Sequence, residues 1–284
     1  MENLKVQYVP TWCPGCGNFG ILTALNKAIS LLALDPEQIA LVTGIGCSGK
    51  IAQYINTYRI ETLHGRTLPV ATGVKLANHQ LTVIAEGGDG DGMGLGMGHF
   101  IHTARRNLNI TYIIHNNQIY GLTKGQASPT SDLGTITKFT PPPLGNVEQP
   151  VNIVRMALQA GASFVARSTA ADSHLADIMV QAISHKGFAV LDILQPCVSF
   201  NHINTYKWYQ DHVYRVDSLQ DYDAADYEKA AVVAGQWGEK IPIGVIYRTQ
   251  RMTFDDSLPQ LAKEPLVKQP LENISLSALM DELA

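Results

Sequence analysis

Cysteine is the first residue type in this chain that points to chemistry. The sequence holds four cysteines. Cys13 and Cys16 form a Cys-x-x-Cys motif in the stretch YVPTWCPGCGNFG, while Cys47 and Cys197 stand alone. In a compartment where thiols stay reduced, such a set is better explained by a metal site or redox chemistry than by two disulfides. The motif alone fits a zinc site, a redox dithiol, or part of a larger centre.

The spacing of the four cysteines discriminates among these sites. A zinc site of four cysteines normally draws on two Cys-x-x-Cys pairs, but here the second pair is replaced by two distant residues. A redox dithiol would leave Cys47 and Cys197 unexplained. Four thiolates with none missing and none spare suit a 4Fe–4S cluster, which the spacing therefore favours over zinc.

A glycine-rich stretch, EGGDGDGMGLGMGHF, supplies a second candidate site. Gly88 and Gly90 let backbone amides approach an anion, and the predicted helix that follows points its positive N-terminus at the same place. Glycines alone are equally consistent with a tight turn. Asp89 favours a site, because a carboxylate among phosphate-binding amides is explained when a divalent cation lies between it and the phosphates. Asp91, in the overlapping frame, is the alternative ligand.

The segment HNNQIYG extends this cation site. Asn117 follows the next predicted strand, so its carboxamide oxygen is expected at the same edge of the sheet as Asp89. Mg²⁺ requires near-octahedral oxygen ligands, and the main-chain carbonyl of Ile119, two diphosphate oxygens and a water would complete the set. We therefore predict a site for Mg²⁺ and a diphosphate, with an ordinary asparagine-rich turn as the alternative.

Short apolar runs, alternating with segments of helical periodicity, must position these residues. The predicted strands, rich in Ile and Val, span residues 39–43, 81–85, 110–114, 164–167 and 189–194. The predicted helices span residues 20–34, 69–78, 94–106, 150–160 and 173–186. This alternation predicts the α/β class: a parallel sheet with helices on both faces, and ligands at the carboxyl ends of its strands. Cys47 and Cys197 each follow such a strand, beside the predicted cofactor site.

The remainder of the chain has a weaker pattern. Residues 121–149 are rich in Gly, Thr, Ser and Pro, and a connection of this length inside a compact domain is usually functional. Beyond Asn201 we predict a helix over 224–237, a strand over 241–247 and a helix over 275–284. We expect a main domain over residues 1–215 and a C-terminal extension over 216–284 that packs on it or on a partner.

Composition limits the classes of function. The chain of 284 residues carries a net charge of −4, and its longest basic run is the pair Arg105–Arg106. These features argue against nucleic acid or an anionic membrane surface as a partner. Without a signal-peptide pattern or an apolar stretch of about 18 residues, a cytoplasmic protein is expected. Only 16% of residues are charged, below the usual value of about 25%, which indicates contacts between subunits.

Two sets of motifs resemble known families. The pair Gly88-Asp89-Gly90 and Asn116-Asn117 is similar to the thiamine-diphosphate motif, in which the second Asn and the main-chain oxygen two residues later bind the metal. Together with WCPGCG, GIGC, HNNQIYGLTKGQASPTS and QPC, it resembles the β-subunit of 2-oxoacid:ferredoxin oxidoreductases over roughly residues 8 to 215. The resemblance implies a thiamine-diphosphate-binding fold with thiamine diphosphate, Mg²⁺ on Asp89, Asn117 and Ile119, and a 4Fe–4S cluster on Cys13, Cys16, Cys47 and Cys197. The cofactor-binding residues it implies are Gly46, Ser48, Gly88, Asp89, Gly90, Asn117, Ile119, Gly121, Leu122 and Thr123.

The resemblance also implies an activity and partners. The activity is thiamine-dependent oxidative decarboxylation of a 2-oxoacid to acyl-CoA and carbon dioxide, with electrons passing through the cluster to ferredoxin; the reverse carboxylation is also open. The partners are an α-subunit, ferredoxin, coenzyme A and the 2-oxoacid. Since no glutamate in this chain is evidently placed to activate the cofactor, the α-subunit is expected to supply it.

The candidate catalytic residues are His64 and Lys50. Lys50 would meet a substrate carboxylate, although a lysine on a helix surface is an equal alternative. A basic residue such as Lys50 or Arg66 favours 2-oxoglutarate, while pyruvate and branched-chain 2-oxoacids stay open. A non-oxidative thiamine-dependent decarboxylase or lyase is the alternative activity, and a zinc-stabilised scaffold without chemistry is a third hypothesis.

Overall fold

The computed structural model describes residues 4–270 and 276–283. Its strands are β1 Ile39–Thr43, β2 Tyr58–Glu61, β3 Thr82–Gly88, β4 Thr111–Asn116, β5 Ile119–Tyr120, β6 Gln126–Ala127, β7 Phe164–Thr169, β8 Ala189–Leu194, β9 Val213–Arg215 and β10 Ile241–Arg248. Its helices are α1 Asn18–Leu31, α2 Thr67–Ala77, α3 Met97–Arg106, α4 Ile153–Gln159, α5 Leu175–Ser184, α6 Tyr206–His212, α7 Tyr227–Ala234 and α8 Leu276–Asp281.

An 8-stranded sheet in the order β2-β1-β3-β4-β8-β7-β10-β9 organises the chain. All neighbouring pairs in it are parallel except β7 and β10, which run antiparallel. The predicted parallel α/β class is confirmed, and the six predicted strands correspond to β1, β3, β4, β7, β8 and β10. These strands were predictable because both of their faces are buried, which gives continuous apolar runs.

Side chains that alternate along the strands pack against helices on opposite faces of the sheet. Ile39 and Leu41 of β1 lie in one core cluster with residues of α1 and α5. Ala40 and Val42 lie in the other cluster, with residues of α2, α3, α4 and α7. The prediction of helices on both faces is therefore confirmed.

The loops that matter for function leave one edge of the sheet. β1, β3, β4 and β8 are consecutive parallel neighbours, so their carboxyl ends lie side by side. Residues after 43, 88, 116 and 194 consequently start from the same edge, where open α/β sheets bind their ligands.

Several elements differ from the prediction. The helix predicted over 94–106 starts at Met97, after a π-helical turn at Asp91–Leu95. The edge strand β2 escaped prediction because most of its side chains are exposed and it lacks an apolar run. The predicted terminal helix is α8, although the first and last residues of that prediction, 275 and 284, lie outside the described residues.

The segment after residue 215 joins the main sheet through β10, which pairs with β7. α7 packs on the same strand, with Ala230 and Val233 in the core cluster that contains Ile246. The division into residues 1–215 and 216–284 stays a prediction. Among the described residues, no helix is both long and apolar enough to cross a membrane.

Candidate functional site

Asp89 lies just beyond β3 and is almost completely buried, with 1% of its surface exposed. Its Oδ2 accepts hydrogen bonds from the hydroxyls of Ser128, at 2.5 Å, and Thr130, at 2.6 Å. Burial raises the pKa of Asp89, and these hydroxyls act in the opposite direction. The long segment after β6 thus folds back to cover one side of the carboxylate.

The Asp89 carboxylate has no ion-pair partner among the residues that the structure describes. Of the ion pairs formed by residues 4–270 and 276–283, none includes this carboxylate. A buried carboxylate without a cation is costly. The arrangement therefore fits a site whose positive charge comes from a bound metal ion.

Asn117 follows β4 and faces the same cavity as Asp89. Its Nδ2 donates to Gln195 Oε1 at 2.9 Å, and its Oδ1 accepts from the backbone N–H of Ile119 at 3.1 Å. These bonds fix the carboxamide while leaving Oδ1 with a second lone pair for a ligand. Gln118 between them has a φ of 57°, so the chain turns sharply here and Ile119 lines the cavity as well.

Asp91 has a different role from Asp89. Its Oδ1 accepts from the backbone N–H groups of Ile45, at 3.1 Å, and Gly65, at 2.8 Å. Its Oδ2 accepts from the Thr67 hydroxyl at 3.2 Å. Asp91 therefore ties together the loops after β1 and β2. Its three donors give Asp91 a structural role in this fold, and the assignment of Asp89 as the metal ligand stays a prediction.

One cavity contains every residue predicted to bind the cofactor. His64 lies in its wall too, with Nδ1 3.5 Å from Asp91 Oδ1 and 34% of its side chain exposed. The predicted residues in the wall are Gly46, Ser48, Gly88, Asp89, Gly90, Asn117, Ile119, Gly121, Leu122 and Thr123. The Oγ of Ser48 is buried and has no hydrogen-bond partner, as expected of a group that meets a ligand. These assignments of function stay predictions, but the fold brings the residues together.

Tyr120 and His115 also line this cavity and were not predicted. The Tyr120 hydroxyl donates to the carbonyl of Gly90 at 3.1 Å, and its ring occupies the space that a Cβ on Gly90 would need. His115 Nε2 lies 2.9 Å from Glu86 Oε2, and both side chains are buried. Glu86 does not itself line the cavity. No short sequence motif predicts this pair, because Glu86 and His115 lie on two different strands.

All four cysteines line a second cavity, of about 250 Å³. Cys13 and Cys16 are brought together by a turn in which the Cys16 N–H donates to the Cys13 carbonyl at 3.0 Å. Pro14 at the second position and Gly15 at the third, with a φ of 81°, satisfy the requirements of a type II turn. The motif CPGC therefore encodes its own local geometry.

The N-terminal pair is fixed to the loop after β1 by Trp12. The indole N–H of Trp12 donates to the carbonyl of Cys47 at 2.7 Å. Its ring meets Tyr54 edge to face, with centroids 4.9 Å apart. On the other side, Gln195 Nε2 lies 3.4 Å from Cys16 Sγ, next to the segment that carries Cys197.

The four thiols are free and differ in exposure. Cys13 is exposed and Cys16 is buried, while Cys47 and Cys197 are half-buried. Burial raises the pKa of Cys16 to about 11, and the other three cysteines add to the rise. The thiols therefore lie close enough to interact, and a thiolate at Cys16 needs a bound cation or cluster to stabilise it.

The two cavities share a wall formed by Cys47, Asn117, Gly121 and Leu122. A Cβ on Gly121 would lie 3.5 Å from Cys197 Sγ and 3.9 Å from Cys47 Sγ, so its backbone passes directly beside these thiols. Lys50 lines the cysteine cavity rather than the Asp89 cavity, and its Nζ donates to Thr11 Oγ1 at 3.3 Å.

The acidic, histidine and cysteine side chains of the described residues do not form a site for a single metal ion. Within the described ranges, no three of them converge on a point that could hold one metal ion. The predicted magnesium set contains only one such side chain, because its other ligands are a carboxamide and a carbonyl. The cysteines surround a space instead of a point.

Comparison with known proteins agrees with these features. Residues 44–193 match the C-terminal TPP-binding domain of thiamine pyrophosphate enzymes. Residues 197–263 match the C-terminal region of the pyruvate ferredoxin oxidoreductase beta subunit.

Individual relatives extend the match over nearly the whole chain. The 2-oxoacid:ferredoxin oxidoreductase subunit beta of Saccharolobus solfataricus is 44% identical, over 96% of this chain and 93% of that protein. The 2-oxoacid:ferredoxin oxidoreductase 1 subunit beta of Aeropyrum pernix is 47% identical, over 88% of this chain and 81% of that protein.

A solved structure of 2-oxoglutarate:ferredoxin oxidoreductase from Magnetococcus marinus, with 2-oxoglutarate, coenzyme A and succinyl-CoA bound, superposes with a TM-score of 0.90 at 38% identity. The superposition covers 100% of this chain and 95% of the chain in that structure. With the paired cavities, the TPP-binding region and this continuous similarity, the chain belongs to the β-subunits of the 2-oxoacid:ferredoxin oxidoreductases, a family of enzymes.

Proposed function

We propose that the Asp89 cavity holds thiamine diphosphate with Mg²⁺. Asp89, the Asn117 carboxamide oxygen and the Ile119 carbonyl would hold the metal ion, since these are the oxygen ligands that Mg²⁺ prefers. The supporting observation is the buried charge of Asp89, for which the described residues offer no ion-pair partner. Ser128 and Thr130 keep the carboxylate oriented.

The cysteine cavity would hold a 4Fe–4S cluster on Cys13, Cys16, Cys47 and Cys197. A single zinc ion needs its four thiolates to converge on one point, whereas a cubane cluster distributes them over separate irons. The four thiols line a common space without a single-ion arrangement in the described part of the chain. Four thiols around one cavity, with no cysteine to spare, support the cluster proposal.

The wall shared by the two cavities is the main support for the proposed function. Because Cys47, Asn117, Gly121 and Leu122 line both cavities, a thiamine cofactor and a cluster would lie next to each other. When bound, the cofactor supplies the carbanion-stabilising chemistry that releases carbon dioxide from a 2-oxoacid, and the cluster accepts electrons. This chain's residues hold and orient the two groups, and the overall reaction forms acyl-CoA and reduces ferredoxin. The reverse carboxylation would use the same arrangement.

2-Oxoglutarate is the substrate that we propose. The similar Magnetococcus marinus structure contains 2-oxoglutarate and succinyl-CoA. In this chain Lys50 lines the cysteine cavity and interacts electrostatically with Cys47 of the shared wall. The proposal is that its ammonium attracts the second carboxylate of a substrate bound on the other side of that wall. Arg66, the other basic candidate, instead contacts His99, with Nη1 and Nε2 2.9 Å apart.

An α-subunit would complete the active site. Glu86 Oε2 is bound to His115, Glu86 Oε1 is buried without a hydrogen-bond partner, and the residue does not line the cofactor cavity. The acid that activates the cofactor would therefore come from the partner. His64, partly exposed at the cavity wall, is placed where substrate and partner could both reach it.

Anaerobic purification of the chain with its co-encoded partner tests the cofactor content. We expect iron, sulfide and thiamine diphosphate in the purified complex, and loss of iron and sulfide in the Cys197→Ala variant. The Cys16→Ser variant should behave the same way, because all four thiolates are needed. A colourless protein containing zinc would refute the cluster, and turnover of a 2-oxoacid without coenzyme A or an electron acceptor would indicate a non-oxidative lyase.

A panel of 2-oxoacids with coenzyme A and ferredoxin tests the substrate. Lys50→Met should lower kcat/KM for 2-oxoglutarate by about tenfold or more, as expected for loss of one charge-assisted contact, and change it little for pyruvate. Lys27→Met, a substitution of a lysine elsewhere on the chain, serves as the charge-matched control. An equal loss for both substrates would contradict a role of Lys50 in selecting a dicarboxylate.

A further inference from the structure

A third cavity, of about 190 Å³, shares no lining residue with the Asp89 cavity, although Thr130 in its wall is hydrogen-bonded to Asp89. It is lined by side chains from β7, α4 and the turn after α7. Its wall includes Asn116, Thr130, Asn152, Arg155, Arg167 and Trp237. Neither the cofactors nor the substrate proposed above use this space.

Arg167 is the unusual group in the wall. It projects from β7 and is only 1% exposed, yet a guanidinium keeps its charge at every accessible pH. Its Nε donates to Asp192 Oδ2 at 2.8 Å, and its Nη2 donates to Asn152 Oδ1 at 3.3 Å. Its Nη1 is buried without a hydrogen-bond partner. A buried donor group without an acceptor costs free energy, so an acceptor that reached Nη1 would stabilise it.

The surroundings of Arg167 are suited to an anion. The ring of Trp237 covers the guanidinium, with Cζ 5.3 Å from the ring centroid, and the indole N–H is bound to Asp132 at 2.8 Å. Asp192 balances the charge of Arg167. Arg155 lines the same cavity and forms no ion pair with any residue in 4–270 or 276–283. The cavity therefore carries an excess positive charge at its rim.

We propose that this cavity binds a small oxyanion, a phosphate or a carboxylate, between Arg167 Nη1 and Arg155. Guanidinium groups match the planar arrangement of such oxygens. The buried arginine would provide the oriented donor, and the exposed arginine would attract and close over the ion. The walls of this cavity and of the Asp89 cavity have no residue in common, so the site is distinct from the place proposed for the diphosphate of the cofactor.

Isothermal titration with inorganic phosphate tests the proposal. The protein, with its co-purifying partner, is first loaded with thiamine diphosphate and Mg²⁺, and excess ligand is removed so that the Asp89 cavity is filled. Phosphate is then titrated at constant ionic strength, and acetate is titrated separately to distinguish a phosphate site from a carboxylate site. The fluorescence of Trp237, checked against Trp237→Phe, reports whether the ion binds at this cavity.

Three variants decide the outcome. We expect saturable binding by the wild type, weaker by about tenfold in Arg155→Ala and abolished in Arg167→Lys, which keeps a positive charge beside Asp192 but loses Nη1. Arg105→Ala, an exposed substitution with the same change in net charge, should bind like the wild type. If Arg167→Lys does not fold, Arg155→Ala alone decides, because its side chain is exposed.

Three results would overturn the proposal. The first is absence of saturable binding of both ions, and the second is equal affinity in Arg155→Ala and Arg105→Ala. The third is phosphate binding by the separate chain that disappears in the complex with its partner, which would assign Arg167 to a carboxylate of that subunit. Because the assay reads ion binding and not turnover, it stands independently of the proposed enzymatic reaction.

Discussion

The two buried aspartates of GDGDG should respond oppositely to replacement by asparagine. In Asp91→Asn, three hydrogen bonds that now end on a charged carboxylate, from Ile45, Gly65 and Thr67, become neutral ones. Each loses about 1 kcal/mol, so the free energy of unfolding should fall by roughly 2 to 3 kcal/mol. For a chain of this size that corresponds to a Tm lower by roughly 5 to 10 °C.

In Asp89→Asn the chain without cofactor should be at least as stable as the wild type. Burial raises the pKa of Asp89, which means that the charged form is disfavoured by its surroundings, and an asparagine oxygen can still accept from Ser128 or Thr130. The loss should instead be in binding of Mg²⁺ and thiamine diphosphate. At 100 times Kd these ligands would stabilise the wild type by about 2.7 kcal/mol, and a 100-fold weaker affinity would reduce that gain to about 0.4 kcal/mol.

Thermal unfolding with and without thiamine diphosphate and Mg²⁺ measures both effects. Asp89→Asn should keep its ligand-free Tm and lose the ligand-induced rise, and Asp91→Asn should show a lower ligand-free Tm and keep most of the rise. Titrating Mg²⁺ at fixed cofactor then shows whether the metal is the ligand affected. A ligand-induced rise of wild-type size in Asp89→Asn would refute the assignment of this carboxylate to the metal.

Three further substitutions test the packing around Gly90, the helix propensity at Gly73 of α2 and the pH dependence of stability that comes from His185. Gly90→Ala places a Cβ 2.2 Å from Tyr120 Cε1, so the ring must move, and chemical denaturation should show a loss of about 1 to 3 kcal/mol; an unchanged midpoint would contradict the tight packing. Gly73→Ala, in the middle of α2 with no atom within 4 Å of the new Cβ, should instead add about 0.5 to 1 kcal/mol, and a loss there would be unexpected. Burial, helped by Arg248, lowers the pKa of His185 from 6.5 to about 4, so the unfolded chain binds the extra proton between these values and stability falls as the pH drops through this window. His185→Gln, which can still bond Ser163, should remove up to roughly 2 to 3 kcal/mol of that pH dependence; urea midpoints at pH 7 and pH 4.5 would show it, and an unaltered slope would mean that His185 is accessible to protons.

The central strands of the sheet could be predicted from the sequence because each of them is recognisable from its own residues. Residues 39–43 and 189–194 were predicted with the bounds observed for β1 and β8, since each run is buried on both faces and consists mainly of apolar residues. β2 lacks such a run because it is an exposed edge strand. The start of α3 was predicted too early because the glycines after Asp91 form a π-helical turn.

Some residues of the candidate site could likewise be predicted from the sequence, and others could not. Residues that directly follow a strand, such as Asp89, Asn117 and Cys47, could be placed from the order of strands alone, because parallel strands end at one edge. The hydroxyls of Ser128 and Thr130 could not, since they reach Asp89 only after the segment past β6 folds back. Such contacts depend on tertiary structure, and no spacing in the sequence records them.

The distribution of the cysteines along the chain has a consequence for biosynthesis. The turn that presents Cys13 and Cys16 is encoded locally, but the cavity closes only when the segment with Cys197 reaches it. At roughly 5 to 20 residues per second, a ribosome needs on the order of 10 to 40 s to go from Cys16 to Cys197. A centre that used all four thiolates would therefore be completed only after residue 197 has been translated, and the early thiols would have to stay reduced throughout that interval.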